Sequence, residues 1–510
     1  MPVKILTSLF LCACFAFALQ KALLFFQQSG YKCGKYYFSA FRGRYLAAYI
    51  LISLTVLALN IFSQEWGYYA AAGGAAVLLI VSLTVKNKGK AKYTKRAARI
   101  FAAALLLAFI ATFFLPCLAI LLFPLLLPFA SYALFPFELF INAYYIDKAK
   151  SRIASTQAVK IGITGSYGKT SVKNILCKML SQQFNCIATP KSYNTPLGIA
   201  SFVNSLYKNG KRSGKNEGLN QYQFVIFELG AKRKGDISTL CEMTLPRYGI
   251  LTAIDGCHLE TFLTLENVAQ CKREMLLYLK PCDVCVLSAD SPLAALSENV
   301  GTCRKIFAGL SGSDVFADNI TLTSYGSNFT LHLEGEEITC YTPLLGSHSI
   351  SNICLCAALA KSLGVTAQNI AKSIGELPSV PHRLSITNRG SLTIIDDSYN
   401  ANLRGVEALA QVLNLFDKKR IVVTQGIAEG GKDSERVNVE AGKILSCACD
   451  AAYITGVNRA ALKSGLLQGG MKEENICLCK NIKEAVDDMQ KYFNNPAVVA
   501  FQNDLPDCFN

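Results

Sequence analysis

Long apolar runs fill the first 150 residues of the chain, and beyond about residue 157 they give way to short β-rich runs alternating with helical periods. In the first part, apolar stretches run over about residues 5–26, 45–63, 68–85 and 100–140. At about 1.5 Å per residue, a forty-residue helix would reach about 60 Å, twice the hydrocarbon thickness of a bilayer. The last stretch should therefore turn near Leu115, Pro116 and Cys117, as two spans or a hairpin, which makes about five spans in all. In the second part, the runs 159–164, 224–227, 248–254 and 284–287 alternate with helix-like segments, the pattern of a mostly parallel sheet. The expected fold class is an N-terminal α-helical membrane region followed by α/β domains.

Charge supports this division. The 510 residues are 51% hydrophobic and only 17% charged, with a net charge of +15. Residues 1–152 hold sixteen Lys and Arg against Glu65, Glu138 and Asp147, leaving the remaining 358 residues nearly neutral. Lys32, Lys35, Arg42 and Arg44 lie in one loop. Lys86, Lys88, Lys90, Lys92, Lys95, Arg96 and Arg99 lie in another, so both loops belong on the cytoplasmic side. The connection 63–69 has Glu65 and no cation, and its Trp66, Tyr68 and Tyr69 suit the outer interface. Five spans then place everything after Lys148 in the cytoplasm, giving a multi-pass cell-membrane protein with cytoplasmic catalytic domains. A rival reading takes residues 1–20, with Lys4 ahead of a short apolar core, as a cleaved signal peptide. A nucleic-acid protein would spread its cations over a folded face, so nucleic acid is excluded as a partner. The twenty cysteines are scattered without repeated CxxC spacing and read as free thiols in a reducing compartment.

The first β-rich run leads into Thr164, Gly165, Ser166, Tyr167, Gly168, Lys169, Thr170 and Ser171, and then into a helical period over 172–180. Strand, glycine loop and helix stand in the order of a phosphate-binding loop. Backbone N–H groups would face the phosphates, Gly165 and Gly168 would allow close approach, Lys169 would neutralise β/γ charge and Thr170 would ligate Mg²⁺. Ile163 occupies the first glycine position of the usual GxxxxGK[ST] pattern. Glu228 ends an apolar run and so places a hard oxygen ligand at the carboxyl edge of a central strand. The next strand leads to His258, and Lys272 follows within a helical period. Alone, each of these residues has a bland structural reading: a surface carboxylate, a strand-end histidine, a solvated lysine.

Together they resemble the Mur ligase family of ATP-dependent amide-forming enzymes, over about residues 157–510. The family's TG[ST]xGK[ST] loop is matched by 164–170, and its substrate loop with Asn before Gly is matched by Asn194 and Gly198. The resemblance implies that Glu228 and His258 contact Mg²⁺, together with Lys272 if it is carbamylated. Residues 345–352 resemble the family's GxHNxxN segment, with Ser349 in place of the first Asn, which assigns Asn352 to adenine and, more loosely, His348 to the site. Arg383 matches the junction arginine that reaches the nucleotide phosphates. The segment Asp396, Asp397, Ser398, Tyr399, Asn400, Ala401, Asn402 is similar to a signature of the branch that adds D-alanyl-D-alanine. It implies Asp397 on the ribose and Tyr399, Asn400 and Asn402 on substrate. The implied divisions are a membrane region 1–150, a central ATP-binding P-loop domain 151–380 and a Rossmann-like C-terminal domain 381–510.

The implied reaction is attack of a substrate carboxylate on ATP to give an acyl phosphate, followed by displacement by an amine. Lys169, His258, Lys272 and Arg383 would carry the catalysis, and Gly165, Ser166, Gly168, Thr170 and Ser171 would line the phosphates. The cofactors are ATP and Mg²⁺. The substrates are a UDP-linked or lipid-linked muramoyl peptide and D-alanyl-D-alanine. A hinge near 379–381 would bring Arg383 and Asp397 onto the ATP loop. Cytosolic members begin with a UDP-binding domain where this chain has apolar stretches, so a related ligase acting on a lipid-linked or polyglutamate-type substrate stays open. So does a non-catalytic membrane subunit that uses ATP as a switch, although the spans carry almost no internal charge.

Overall fold

The computed structural model describes residues 2–502 except 35, 37–43, 63, 85–92, 115, 213–217, 256–261, 311, 380–381, 399–400, 429–432 and 490–494. The chain forms two compact units, one over residues 1–143 and the other over 144–505.

The first unit is helical: Pro2–Gln28, Arg44–Phe62, Gln64–Thr84, Lys95–Phe114, Pro116–Ala133 and the start of Phe135–Ser155. The long run breaks at the expected place. Pro116 opens a new helix, where its missing N–H costs nothing. Two helices are long and apolar enough to cross a membrane, Leu9–Gln28 and Lys95–Phe113. A third span results if the bent pair Leu122–Ala133 and Phe135–Ser155 counts as one. Where two further spans were expected, the described residues give the shorter apolar stretches Tyr49–Leu59 and Tyr69–Ile80. The core of this unit holds Leu11, Phe15, Leu19, Leu23 and Phe26 together with Ala71, Ala75, Ala97, Ala104 and Ala108, all fully buried, while other large apolar side chains lie on the outside, Leu51 at 67% and Phe140 at 71% exposure. Exposed large apolar side chains in such number mark a surface that meets an apolar phase or partner. Glu138, read as lying at a span end, is buried and takes Arg99 bidentately, at 2.7 and 2.9 Å.

The second unit carries two sheets. The nine-stranded sheet has the order β2-β3-β1-β4-β5-β6-β7-β8-β9, from β1 (Val159–Thr164), β2 (Cys186–Ala188), β3 (Phe224–Glu228), β4 (Tyr248–Leu251), β5 (Val284–Ser288), β6 (Arg304–Gly309), β7 (Val315–Thr323), β8 (Gly326–Leu333) and β9 (Glu336–Thr342). Pairing is parallel through β7 and antiparallel from β7 to β9. Both faces of the parallel part are apolar, as strands covered by helices require. Ile161, Ile163 and Ile226 pack under helices Lys169–Leu180 and Ser347–Ser362, whereas Val225, Phe227 and Leu251 pack under Asp236–Thr244 and Leu265–Tyr278. The strand expected over 248–254 ends at Leu251, and the chain beyond it runs to the phosphate loop instead.

The six-stranded sheet has the order β10-β11-β15-β12-β13-β14, from β10 (Ser385–Arg389), β11 (Leu392–Asp397), β12 (Lys419–Thr424), β13 (Ala451–Ile454), β14 (Ile476–Leu478) and β15 (Ala497–Gln502). Only β10 runs antiparallel to its neighbour, so this is the expected Rossmann-like layer with one reversed edge strand. Helices Ser434–Ser446 and Arg459–Gln468 touch backbone to backbone. A Cβ on Gly465 would lie 2.0 Å from Val439 O. Gly465→Ala is expected to lower the stability of the second unit by about 1–3 kcal/mol through overpacking alone. Denaturant unfolding followed by circular dichroism checks this.

Candidate active site

Strand β1 delivers the chain into the loop 165–168 and then into helix Lys169–Leu180, whose first N–H groups have no helical partner and form an anion site. Two glycines are required there. Gly165 has φ of 150° and a Cβ on it would meet Thr252 Oγ1 at 2.0 Å, while Gly168 has φ of 79° and its Cβ would crowd Asn352 Oδ1 at 3.0 Å. The continuation of β4 braces the loop. Ser166 N–H donates to Ala253 O at 2.8 Å, Ser166 Oγ donates to Asp255 O at 2.9 Å, and Thr252 Oγ1 donates to Tyr167 O. Lys169 Nζ folds back onto Gly165 O at 2.7 Å and Ser166 O at 3.2 Å.

Glu228 closes β3 beside Ile163 of β1 and gathers the first cluster. Thr170 Oγ1 and Lys173 Nζ donate to Glu228 Oε2 at 3.1 and 3.0 Å, and Asn194 Nδ2 donates to Oε1 at 3.1 Å. Lys173 also donates to Lys191 O. Lys173 and Glu228 are each 1% exposed. Sequence reading missed Lys173. Its one signal is its place a full turn after Lys169, on the same helix face. Thr170 and Glu228 supply hard oxygens of the kind Mg²⁺ takes when phosphates and water complete its shell. Among the described residues no three His, Cys, Asp or Glu side chains converge. Lys272 is buried on helix Leu265–Tyr278. His258 lies outside the described residues, as do Tyr399, Asn400 and residues 380–381 of the expected hinge.

A second cluster surrounds a cavity of about 280 Å³ between the two sheet domains. Gly168, Ser171 and Asn352 line it from the central domain, and Arg383, Asp397 and Asn402 from the other, so six residues singled out from the sequence meet here. Asn402 also has a structural duty, capping helix Leu403–Leu413 by accepting from Gly405 N–H at 2.8 Å. His348, assigned to the site more loosely, lines it too, and the remaining wall residues are given no role by the sequence. Asp290 accepts from Ser351 Oγ and, at 3.0 Å, from Leu310 N–H. Arg404 pairs with Asp255 across the cleft at 3.0 Å. His348 opens on the cavity, and desolvation by the cleft walls, aided by the Arg383 charge, pushes it down to about 4. Burial raises Asp397 to about 7, against the opposing pull of Arg383 and the Leu384 N–H and with a further push from Asp396.

A second cavity, about 240 Å³, opens at the carboxyl ends of β11, β12, β13 and β15. Its buried Gln425 side chain, Thr455 Oγ1 and Gln502 Nε2 have no hydrogen-bond partner among the described residues. Because β12 has later strands on both sides, this edge is the topological switch of the sheet, where open α/β sheets bind ligands.

Two outcomes follow from this geometry. Lys173→Met strands the Glu228 charge in the interior and should cost about 3 kcal/mol in denaturant unfolding, whereas a surface lysine change should cost almost nothing. For Asp397, the folded chain holds its proton more tightly than the unfolded chain does. Its contribution is therefore fully present below about pH 4 and is lost as pH rises to about 7. The stability difference between the wild type and Asp397→Asn should fall across that window and then level off, as melting curves at stepped pH will show.

The chain matches two family models, the Mur ligase middle domain over residues 163–360 and the Mur ligase glutamate ligase domain over 382–501. It is 31% identical over 335 residues to the UDP-N-acetylmuramoyl-tripeptide--D-alanyl-D-alanine ligase of Escherichia coli, taking in 65% of this chain and 72% of that one. The Mycobacterium tuberculosis protein of the same name is 29% identical, and the match takes in 62% of this chain but only 61% of that one. Among solved structures, MurF from Acinetobacter baumannii superposes with a TM-score of 0.63 at 24% identity, over 71% of this chain and 77% of that one. MurF from Thermotoga maritima in complex with ADP gives 0.61 at 22% identity, over 71% and 80%. The chain belongs to the Mur ligase family, and its two sheet domains are that family's middle and glutamate ligase domains.

Proposed function

We propose that the chain is an ATP-dependent, ADP-forming ligase that adds D-alanyl-D-alanine to a UDP-N-acetylmuramoyl tripeptide in peptidoglycan synthesis. The observation that carries this reading is the convergence of the phosphate loop, Asn352, Arg383 and Asp397 on one cavity, in a chain 31% identical to a ligase of that name.

In this reading the helix N-terminus at Lys169 and Thr170 seats the β- and γ-phosphates, and Lys169 turns from its loop carbonyls to the transferring phosphoryl group. Arg383 enters from the opposite wall. The tripeptide carboxylate attacks the γ-phosphorus, the β–γ bridging bond breaks, and ADP leaves an acyl phosphate. The dipeptide amine then attacks the acyl carbon and expels inorganic phosphate, with loss of a proton to solvent or a nearby base. Little covalent chemistry falls to the protein, so its work is positioning and charge neutralisation. Thr170, Glu228, His258 and a carbamylated Lys272 would hold Mg²⁺, which supplies further neutralisation of phosphate charge. Asn352 would meet adenine, Asp397 the ribose, and Asn194, Tyr399, Asn400 and Asn402 the peptide substrates. The second cavity, with its unpartnered amides and hydroxyl, suits the peptide groups of the acceptor.

The first unit we infer to be a membrane anchor, because two of its helices are long and apolar enough to cross a membrane and many large apolar side chains lie on its outside. Full-length protein in detergent should release ADP only when ATP, Mg²⁺, UDP-N-acetylmuramoyl tripeptide and D-alanyl-D-alanine are all present, with product mass raised by one dipeptide. Lys169→Ala should lower that rate at least a thousandfold. Acceptor-dependent ligation that survives the substitution defeats the assignment, and turnover only with a lipid-linked muramoyl peptide would move the substrate to the lipid.

A further inference from the structure

The turn that carries Arg383 into the nucleotide cavity is built from two residues in a conformation that L side chains rarely adopt. His382 has φ of 63° and Leu384 has φ of 47°, so Arg383 stands between two left-handed non-glycine residues. Such backbone persists only where its surroundings over-determine it. Leu384 is held twice, by its side chain in the core of the second sheet domain and by its N–H on the Asp397 carboxylate. His382 is held by its ring. Nδ1 lies 2.9 Å from Asp396 Oδ2 and 3.1 Å from Ser398 Oγ, and Ser398 in turn donates to Asp396 Oδ1 through its hydroxyl and, at 3.2 Å, its N–H.

Strand β11 gives this clasp its consequence. Consecutive residues on a strand face opposite sides. Asp397 lines the nucleotide cavity beside Arg383, whereas Asp396 and Ser398 line the second cavity. One left-handed turn therefore grips both sides of β11, with His382 on the second-cavity side and Arg383 on the nucleotide side. A ligand polar enough to compete for Asp396 or Ser398 also acts on the ring that sets the direction of Arg383.

We propose that His382 is a positioning residue, whose clasp on Asp396 and Ser398 sets Arg383 and ties its placement to occupancy of the second cavity. The proposal rests on the ligase reading given above and on the acceptor occupying that cavity.

The test compares His382→Gly and His382→Asn in full-length protein, with initial rates varied separately in ATP, tripeptide and dipeptide, and with binding of a non-hydrolysable ATP analogue. Glycine adopts the left-handed turn freely but cannot grip Asp396, so its melting temperature should hold while kcat falls ten- to a hundredfold and the dipeptide KM rises. Asparagine tolerates the same turn and offers an Nδ2 donor, so it should recover most of kcat. Wild-type kcat and dipeptide KM in the glycine variant, or losses in both variants that merely follow their melting temperatures, would overturn the proposal. A wild-type enzyme that releases no ADP with these substrates overturns the ligase reading instead. The clasp is then decided by the analogue: several-fold weaker binding to the glycine variant upholds it, and equal binding overturns it.

Discussion

A carboxylate held almost wholly out of water at the end of β3 organises the central domain. An ionised group in that position is tolerated only if its charge and lone pairs are met. Glu228 meets this demand from three directions at once: Lys173 and Thr170 from the helix after the phosphate loop, and Asn194 from the loop after β2. The demand fixes the helix against the strand, and through the helix it fixes the N–H groups that face the phosphates. It also places the Asn194 loop, since Gly230 N–H donates to Asn194 O at 2.9 Å and a Cβ on Gly230 would meet the Asn194 side chain at 2.7 Å. The site is therefore pre-formed around a negative charge that a cation can later share.

The second constraint is that the nucleotide cavity has two owners. Its floor is the loop and helix of one sheet, and its other wall is β11 and helix Leu403–Leu413 of the next. Polar contacts bridge the domains there, among them Arg404 with Asp255 at 3.0 Å and Ser347 Oγ with Gln411 at 3.3 Å. Both partners of the Arg404 pair remain partly exposed, so the bridge is worth little as stability.

Much of this was legible in the sequence, and the reasons divide cleanly. The phosphate loop, Glu228 at a strand end and the strands of the first sheet could be read because each is a local pattern: a short apolar run, a glycine pair, a lysine after the second glycine, whereas the second sheet was implied by the family resemblance. Residues whose meaning depends on a distant partner could not be read. Lys173 looks like any solvated helix lysine until Glu228 arrives from fifty-five residues away. Ser351 is ordinary until helix Ser347–Ser362 places it against Asp290. His332, without a sequence role, proves to be structural, stacked on Phe316 at 4.2 Å and paired with Asp318 at 2.9 Å. The family resemblance supplied the roles of Asn352, Arg383 and Asp397, and the fold brings those three to one cavity.

In the apolar N-terminal part, sequence and structure read the same cations differently. Lys148, Lys150 and Arg152 follow the last apolar stretch and count, in a sequence, as charges that orient a span. In the fold, Arg152 is already engaged within the second unit, donating to Asn204 at 2.6 Å and stacking over the Tyr207 ring at 4.1 Å. Ala149 and Ile153 on the same helix are buried in the core beneath β3. A guanidinium that is both hydrogen-bonded and stacked has little left to offer a lipid headgroup. The end of helix Phe135–Ser155 is therefore part of the catalytic unit, and the charges that can address a membrane surface begin with Lys150 and lie before it. Any anchoring by the first unit must act through its outward leucines and phenylalanines and the loop cations, while the helix end answers to the packing of the ligase domain.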